Sequence, residues 1–230
     1  MLGCDVAYGF WRLRPDDASH DVADWLLLDA RERERQRGFL HPADRRRFLQ
    51  SHAGLRRRLA AALDADAASL LIRSGQEGKP YLPAHDAVDF SLSHSGDWAA
   101  FALSISGGLA LGIDIEVART LASPLAFARH QLPCEAAQLA ALPRTRRQLA
   151  LLRCWTGKEA VLKALGHGLL APLDSFTLQL DDGGHPIAVR RTPQGASSEL
   201  LSGRAVDVKA LLAPEGVAAA SIAAVTQPGS

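Results

Sequence analysis

From Phe48 to Leu63 the chain sets Phe48, Leu55, Leu59 and Leu63, with His52 among them, at helical spacing. That face predicts a helix packed on a core. Pro42, a favoured first helical residue, marks its start. Ahead of it, Val6 to Trp11 reads as a short strand. Residues 22–36 then pass from apolar residues into alternating Arg and Glu, the pattern of a solvated helix held by neighbouring ion pairs. Strands are predicted at Leu70–Ile72, Val88–Leu92, Trp98–Ile105 and Leu109–Val117, the last three separated by turns at Ser95-Gly96 and Gly107-Gly108. A helix follows Pro124, and Arg144 to Leu165 reads as one long helix. Further strands are expected at Phe176–Leu180, Ile187–Arg190, Ala205–Val208 and Val217–Val225. Helices followed by strands in both halves predict an α+β architecture, with Gly107-Gly108 as the best place for a boundary.

Composition narrows the function classes. The 230 residues carry a formal net charge of +1, which argues against a nucleic-acid binder that works by neutralising many phosphates. The arginines are nevertheless crowded early, at 31, 33, 35, 37, 45, 46, 47, 56, 57 and 58, an end suited to a small anion. Cys4, Cys134 and Cys154 form neither a zinc motif nor an even set, as expected in a reducing compartment. The longest uncharged run, Trp98 to Ile113, is too short for a membrane span, which needs about 20 apolar residues. With no secretory signal visible, a cytoplasmic protein is expected.

Three segments carry the candidate chemistry. In Leu111-Gly112-Ile113-Asp114-Ile115-Glu116, strand alternation puts Asp114 and Glu116 on one face and the isoleucines on the other. Paired carboxylates repel and call for a positive partner, although an exposed edge with two solvated acids has the same pattern. In Cys154 to Gly166, Glu159 and Lys163 are one helical turn apart. They form either a helix ion pair or, if the helix lies over the Asp114 strand, the third carboxylate of an oxygen site of the kind magnesium accepts. Lys158 and Lys163 would then meet phosphate charge. In Phe90 to Gly96, Ser91 and Ser93 share a face opposite Phe90 and Leu92, and His94 stands at the strand's mouth, where hydroxyls and an imidazole suit phosphate oxygens. The segment lacks the Gly-x-Ser-x-Gly turn of a serine nucleophile.

In order and spacing, Ser93-His94-Ser95, Gly112-Ile113-Asp114-Ile115-Glu116 and Trp155-Thr156-Gly157-Lys158-Glu159-Ala160-Val161-Leu162-Lys163 resemble the Sfp-type 4′-phosphopantetheinyl transferases. Gly78-Lys79-Pro80, and Gly166-His167-Gly168-Leu169 followed by Pro172 to Phe176, extend the likeness over about residues 39–176. The resemblance implies two similar α+β halves, 1–108 and 109–230, forming a pseudo-dimer with the active site in the cleft between them. It implies transfer of 4′-phosphopantetheine from coenzyme A to a serine of an acyl or peptidyl carrier protein, by a monomer. Asp114, Glu116 and Glu159 would hold Mg²⁺ or Mn²⁺. Lys163 would contact the phosphates, Lys79 and Pro80 would lie beside the adenine, and Ser93 and His94 would bind near the phosphate groups, including the 3′-phosphate. Glu135 is matched to a glutamate that the family tends to carry in the helix after the metal strand. Glu32 falls where relatives carry lysine and Arg35 on the next basic position. His41, Asp44 and Arg47 fit the pattern, and Arg47 is the preferred 3′-phosphate contact. A magnesium-dependent phosphohydrolase and a silent coenzyme A-binding module are the alternatives.

Overall fold

A computed structural model describes residues 5–75, 77–167, 171–191, 201 and 203–226. Gly168 and Leu169 of the resemblance lie outside them. The elements run β1 (Val6–Arg12), α1 (Asp21–Leu27), α2 (Ala30–Arg37), α3 (Pro42–Leu63), β2 (Arg73–Ser74), β3 (Pro80–Tyr81), β4 (Asp89–Ser95), β5 (Trp98–Ser104) and β6 (Leu109–Val117). They continue with α4 (Pro124–Gln131), α5 (Ala136–Ala141), α6 (Arg144–Leu165), β7 (Phe176–Leu180), β8 (Pro186–Arg191), β9 (Val206–Ala210) and β10 (Val217–Thr226). The mixed α+β class expected from the sequence is what forms.

The predicted helix over residues 22–36 is two. Asp29 breaks it and caps α2: its carboxylate accepts from the Glu32 amide, and its own amide donates in return to the Glu32 carboxylate. That box satisfies two amides that a helix start leaves open. No strand forms at Leu70–Ile72 as expected; a two-residue strand follows directly, at Arg73–Ser74. Leu70 is buried against α3, and its carbonyl accepts from Arg56, so it serves the core and an ion pair rather than a sheet.

Two antiparallel three-stranded sheets, β1-β5-β4 and β6-β10-β9, form the scaffold. Leu55 and Leu59 of α3 pack with Phe90 and Leu103 on the first sheet. On the second, Val161 and Leu162 of α6 pack with Phe176, Val208 and Ala223. A third cluster joins the sheets through Ala100, Ala102, Leu111, Ile113, Ile115 and Ile222. At roughly 25 cal/mol per Å² of apolar surface removed from water, such clusters supply the main stabilising term.

β6 is the edge of its sheet, and its outward amides would lack partners. Side chains of β4 close that edge. Asp89 Oδ1 accepts from Leu111 N at 2.7 Å, Ser91 Oγ from Ile113 N at 3.1 Å, Ser93 Oγ from Ile115 N at 3.3 Å and Ser95 Oγ from Val117 N at 3.2 Å. The two sheets are thus sewn together by every second side chain of one strand, without a backbone ladder.

Candidate active site

Alternation along β6 sends Leu111, Ile113 and Ile115 into the core between the sheets and Gly112, Asp114 and Glu116 toward α6. Gly112 sets how closely α6 approaches. A Cβ there would stand 1.9 Å from the Ala160 carbonyl oxygen and 2.6 Å from the Ala164 nitrogen, so no larger residue fits. Small residues on both elements let the helix lie on the strand. Lys163 on that helix face consequently reaches Asp114, and Glu159 stands one turn before it on the same face.

Lys163 Nζ donates to Asp114 Oδ1 at 2.7 Å and to the Ile113 carbonyl at 3.1 Å. Ser93 Oγ donates to the same Oδ1 at 2.7 Å, and Ser95 Oγ to Glu116 Oε2 at 2.8 Å. Arg119 touches Glu116 Oε1 at 3.4 Å. Asp114 is 7 % exposed and Glu159 5 %. Glu159 Oε1 is buried and has no hydrogen-bond partner among the described residues. Burial first, then the charges of Asp114 and Glu116, push the Glu159 carboxyl up to about 7, against the pull of Lys163. The three acids therefore feel one another, although no three His, Cys, Asp or Glu side chains of the described residues stand close enough to enclose a metal ion. The donor set still fits a hard divalent cation: oxygens only, excess negative charge, and one buried acceptor left over.

Beside the acids opens a cavity of about 660 Å³, lined by residues of α2, α3, β3, β4 and α6. Lys163 belongs to both places, since it lines the cavity and holds Asp114. Lys79 and Pro80 line it as well. Lys79 Nζ reaches Asp89 at 2.9 Å and the Ala164 carbonyl at 3.3 Å, and burial pushes the lysine pKa down and the aspartate up. On the α2–α3 wall stand Arg31, Arg35 and His52. The His52 ring stacks on Phe48 at 3.9 Å and is hydrogen-bonded to Glu32 at 3.0 Å. His94 is exposed at the end of β4. Partial loss of water lowers its pKa first, and the nearness of His52, Lys163 and Arg35 lowers it further against the pull of Asp114. Arg31, Arg35, Lys79 and Lys163 along one cavity suit an anionic ligand.

Comparison with known proteins decides what the site belongs to. A family model described as the 4′-phosphopantetheinyl transferase superfamily matches residues 110–213, and one for the N-terminal part of 4′-phosphopantetheinyl transferase matches residues 12–106. A Bacillus subtilis protein named 4′-phosphopantetheinyl transferase is 33% identical over 178 residues, 77% of this chain and 78% of that one. The chain belongs to the 4′-phosphopantetheinyl transferase superfamily. The 4′-phosphopantetheinyl transferase HetI of a Nostoc species is 32% identical over 198 residues, covering 83% of this chain and 81% of its own. The transferase Sfp of Bacillus subtilis is 28% identical over 177 residues, 77% of each. This chain is accordingly an enzyme that transfers the 4′-phosphopantetheinyl group.

Several residues of this transferase stand apart from the places expected of them. Lys158 does not meet phosphate: it is 0 % exposed and turns away from β6. Its Nζ pairs with Glu135 Oε1 at 2.8 Å and donates to the carbonyls of Leu173 and Phe176. The reason is angular, because one helical residue from Glu159 points about 100° around the axis. Glu135, at the start of α5, is thereby tied to Lys158 and to the Leu178 amide, not to the β6 acids. Arg47 lies outside the cavity lining, bound to Asp44 and Asp97 at 3.0 Å each, while Arg31 and Arg35 line the wall. Ser93 spends its proton on Asp114 and a lone pair on Ile115, leaving it buried in the seam. Glu32, the acid in place of lysine, faces Arg56 at 2.7 Å as well as His52. Burial would raise its carboxyl, but the bonds from His52 and the Asp29 amide and the Arg56 charge outweigh that and hold it at about 2. Sequence reasoning passed over His52, whose signal was its place on the core-facing side of α3, and it gave the serines of β4 to phosphate without foreseeing the seam they form.

Proposed function

We propose that this transferase takes the phosphopantetheine arm from coenzyme A and places it on a serine of an acyl or peptidyl carrier protein. The observation that carries the reading is Lys163, which lines the large cavity and at the same time grips Asp114 beside the unpartnered Glu159. Coenzyme A would lie in the cavity, between halves 1–108 and 109–230 that form a pseudo-dimer. Its nucleotide end would rest near Lys79 and Pro80, and its 3′-phosphate would face Arg31, Arg35 and His94. One chain supplies both walls, so the working form is a monomer, and a cytoplasmic location fits the substrates. Among the described residues no helix is long and apolar enough to cross a membrane.

Asp114, Glu116 and Glu159 would hold a divalent cation, Mg²⁺ or Mn²⁺. When bound, such an ion neutralises diphosphate charge and aligns the groups for in-line displacement. Lys163 Nζ adds positive charge where the departing phosphate becomes more negative. The serine oxygen of the carrier forms a bond to the β-phosphorus of coenzyme A as the bond to the bridging anhydride oxygen breaks, and 3′,5′-ADP leaves. The serine proton needs an acceptor. Glu159, buried and raised toward neutrality, is the chain's own candidate.

Incubation with coenzyme A, Mg²⁺ and a panel of apo-carriers, followed by intact-mass measurement, tests this. A carrier heavier by one phosphopantetheine group, with 3′,5′-ADP released, is the expected result. Inorganic phosphate in place of 3′,5′-ADP, with every carrier unchanged in mass, would contradict it.

A further inference from the structure

The seam between the sheets and the β6 acids share hydroxyl groups. Ser93 Oγ accepts from Ile115 N and donates to Asp114 Oδ1; Ser95 Oγ accepts from Val117 N and donates to Glu116 Oε2. In each case the serine holds the amide of one β6 residue and the carboxylate of the residue before it. A hydroxyl has a single proton. With a backbone N–H occupying a lone pair, that proton is left to point at the carboxylate. Ser91 repeats the first half of the pattern, accepting from Ile113 N, but the residue before Ile113 is Gly112, which has no side chain to hold.

We propose that Ser93 and Ser95 are positioning residues for the carboxylates of Asp114 and Glu116. Their hydroxyls, fixed by the sheet seam, set the direction in which each acid presents its remaining oxygen lone pairs. Without its hydroxyl partner each carboxylate has more orientations open to it, and ordering it when a cation binds costs conformational entropy. Here the first sheet supplies the clamp and the second supplies the acid. The donor geometry therefore depends on the two sheets being in register. The inference rests on the metal-binding reading above.

The test counts free Mn²⁺ by electron paramagnetic resonance while it is titrated into the full chain with coenzyme A present, and records Tm on the same samples. Partners that orient metal ligands commonly change metal affinity by roughly 10- to 100-fold when removed, and Ser95→Ala is expected to weaken Mn²⁺ binding within that range. Ser95→Thr, which keeps the hydroxyl, is expected to restore it. Ser91→Ala removes a seam bond of the same kind and is expected to lower Tm comparably while weakening Mn²⁺ binding far less than Ser95→Ala does. If Ser95→Ala fails to fold, Ser93→Ala against Ser93→Thr makes the same comparison at Asp114. Unchanged Mn²⁺ affinity in Ser95→Ala, or an equal loss in Ser91→Ala, would overturn the positioning role. Wild-type protein that binds no Mn²⁺ would overturn the metal reading beneath it, and this inference with it.

Discussion

Lys158 and Glu159 are adjacent in the chain and meet opposite surroundings. Lys158 is enclosed with Glu135, and each charge is tolerable because the other is there. Removing one partner of such a pair typically costs about 3–5 kcal/mol, since the survivor is left buried and uncompensated. Lys158→Ala should therefore lower Tm strongly, whereas Lys158→Met combined with Glu135→Leu should recover much of the loss; thermal melts of the two variants beside the wild type check this. Glu159 has a cation only in Lys163, which also serves Asp114. Its carboxyl is raised from an ordinary 4.5 to about 7, so the folded chain keeps a proton that the unfolded chain has lost between those values. Stability contributed by that proton is complete below pH 4.5 and disappears as pH rises through 7. The difference is on the order of 3 kcal/mol. In chelator-treated protein, Tm should fall as pH rises from 5 to 8, and Glu159→Gln should flatten the fall. An equally steep fall in the Gln variant would show that other groups are responsible.

At the scale of elements, the contact between β6 and α6 is decided by Gly112. Gly112→Ala must displace the backbone of α6, because the obstacle is the Ala160 carbonyl rather than a flexible side chain. Overpacking of this kind usually costs about 1–3 kcal/mol. Here it should also slow transfer out of proportion to the loss of stability, since Glu159 and Lys163 ride on the displaced helix. Transfer rates measured well below the Tm of the variant separate the two effects. Most elements were legible in the sequence because α3, α6 and the main strands have long, regular patterns. Strand alternation alone put Asp114 and Glu116 on one face. The seam was visible in the letters of Asp89-Phe90-Ser91-Leu92-Ser93-His94-Ser95, where every odd position is polar. Nothing local, however, says that those side chains face the amides of another sheet's edge strand. Lys158 misled for the same reason. A lysine beside a metal-site glutamate looks available until the packing of α5 and β7 against α6 shows the helix face it occupies. The short strand near Leu70 was displaced because burial of Leu70 and the Arg56 bond to its carbonyl took precedence over local β propensity.

At the scale of the molecule, the cavity draws its wall from α2, α3, β3 and β4 on one side and from α6 on the other. A ligand seated there should stabilise both sheets in one transition. At a hundredfold excess over Kd, coenzyme A should add about 2.7 kcal/mol. For a chain of this size, that corresponds to a rise in Tm of roughly 5–10 °C. Calorimetry that showed two transitions, with only one shifted by coenzyme A, would place the ligand on one half alone. The central claim is that acids from β6 and α6 meet on one cation beside Lys163. Crystals grown with coenzyme A and Mn²⁺ test it most directly, through the anomalous scattering of manganese. A peak bonded to carboxylate oxygens of Asp114, Glu116 and Glu159 is the predicted result. Manganese held elsewhere, with Glu159 turned away from the β6 acids, would contradict it.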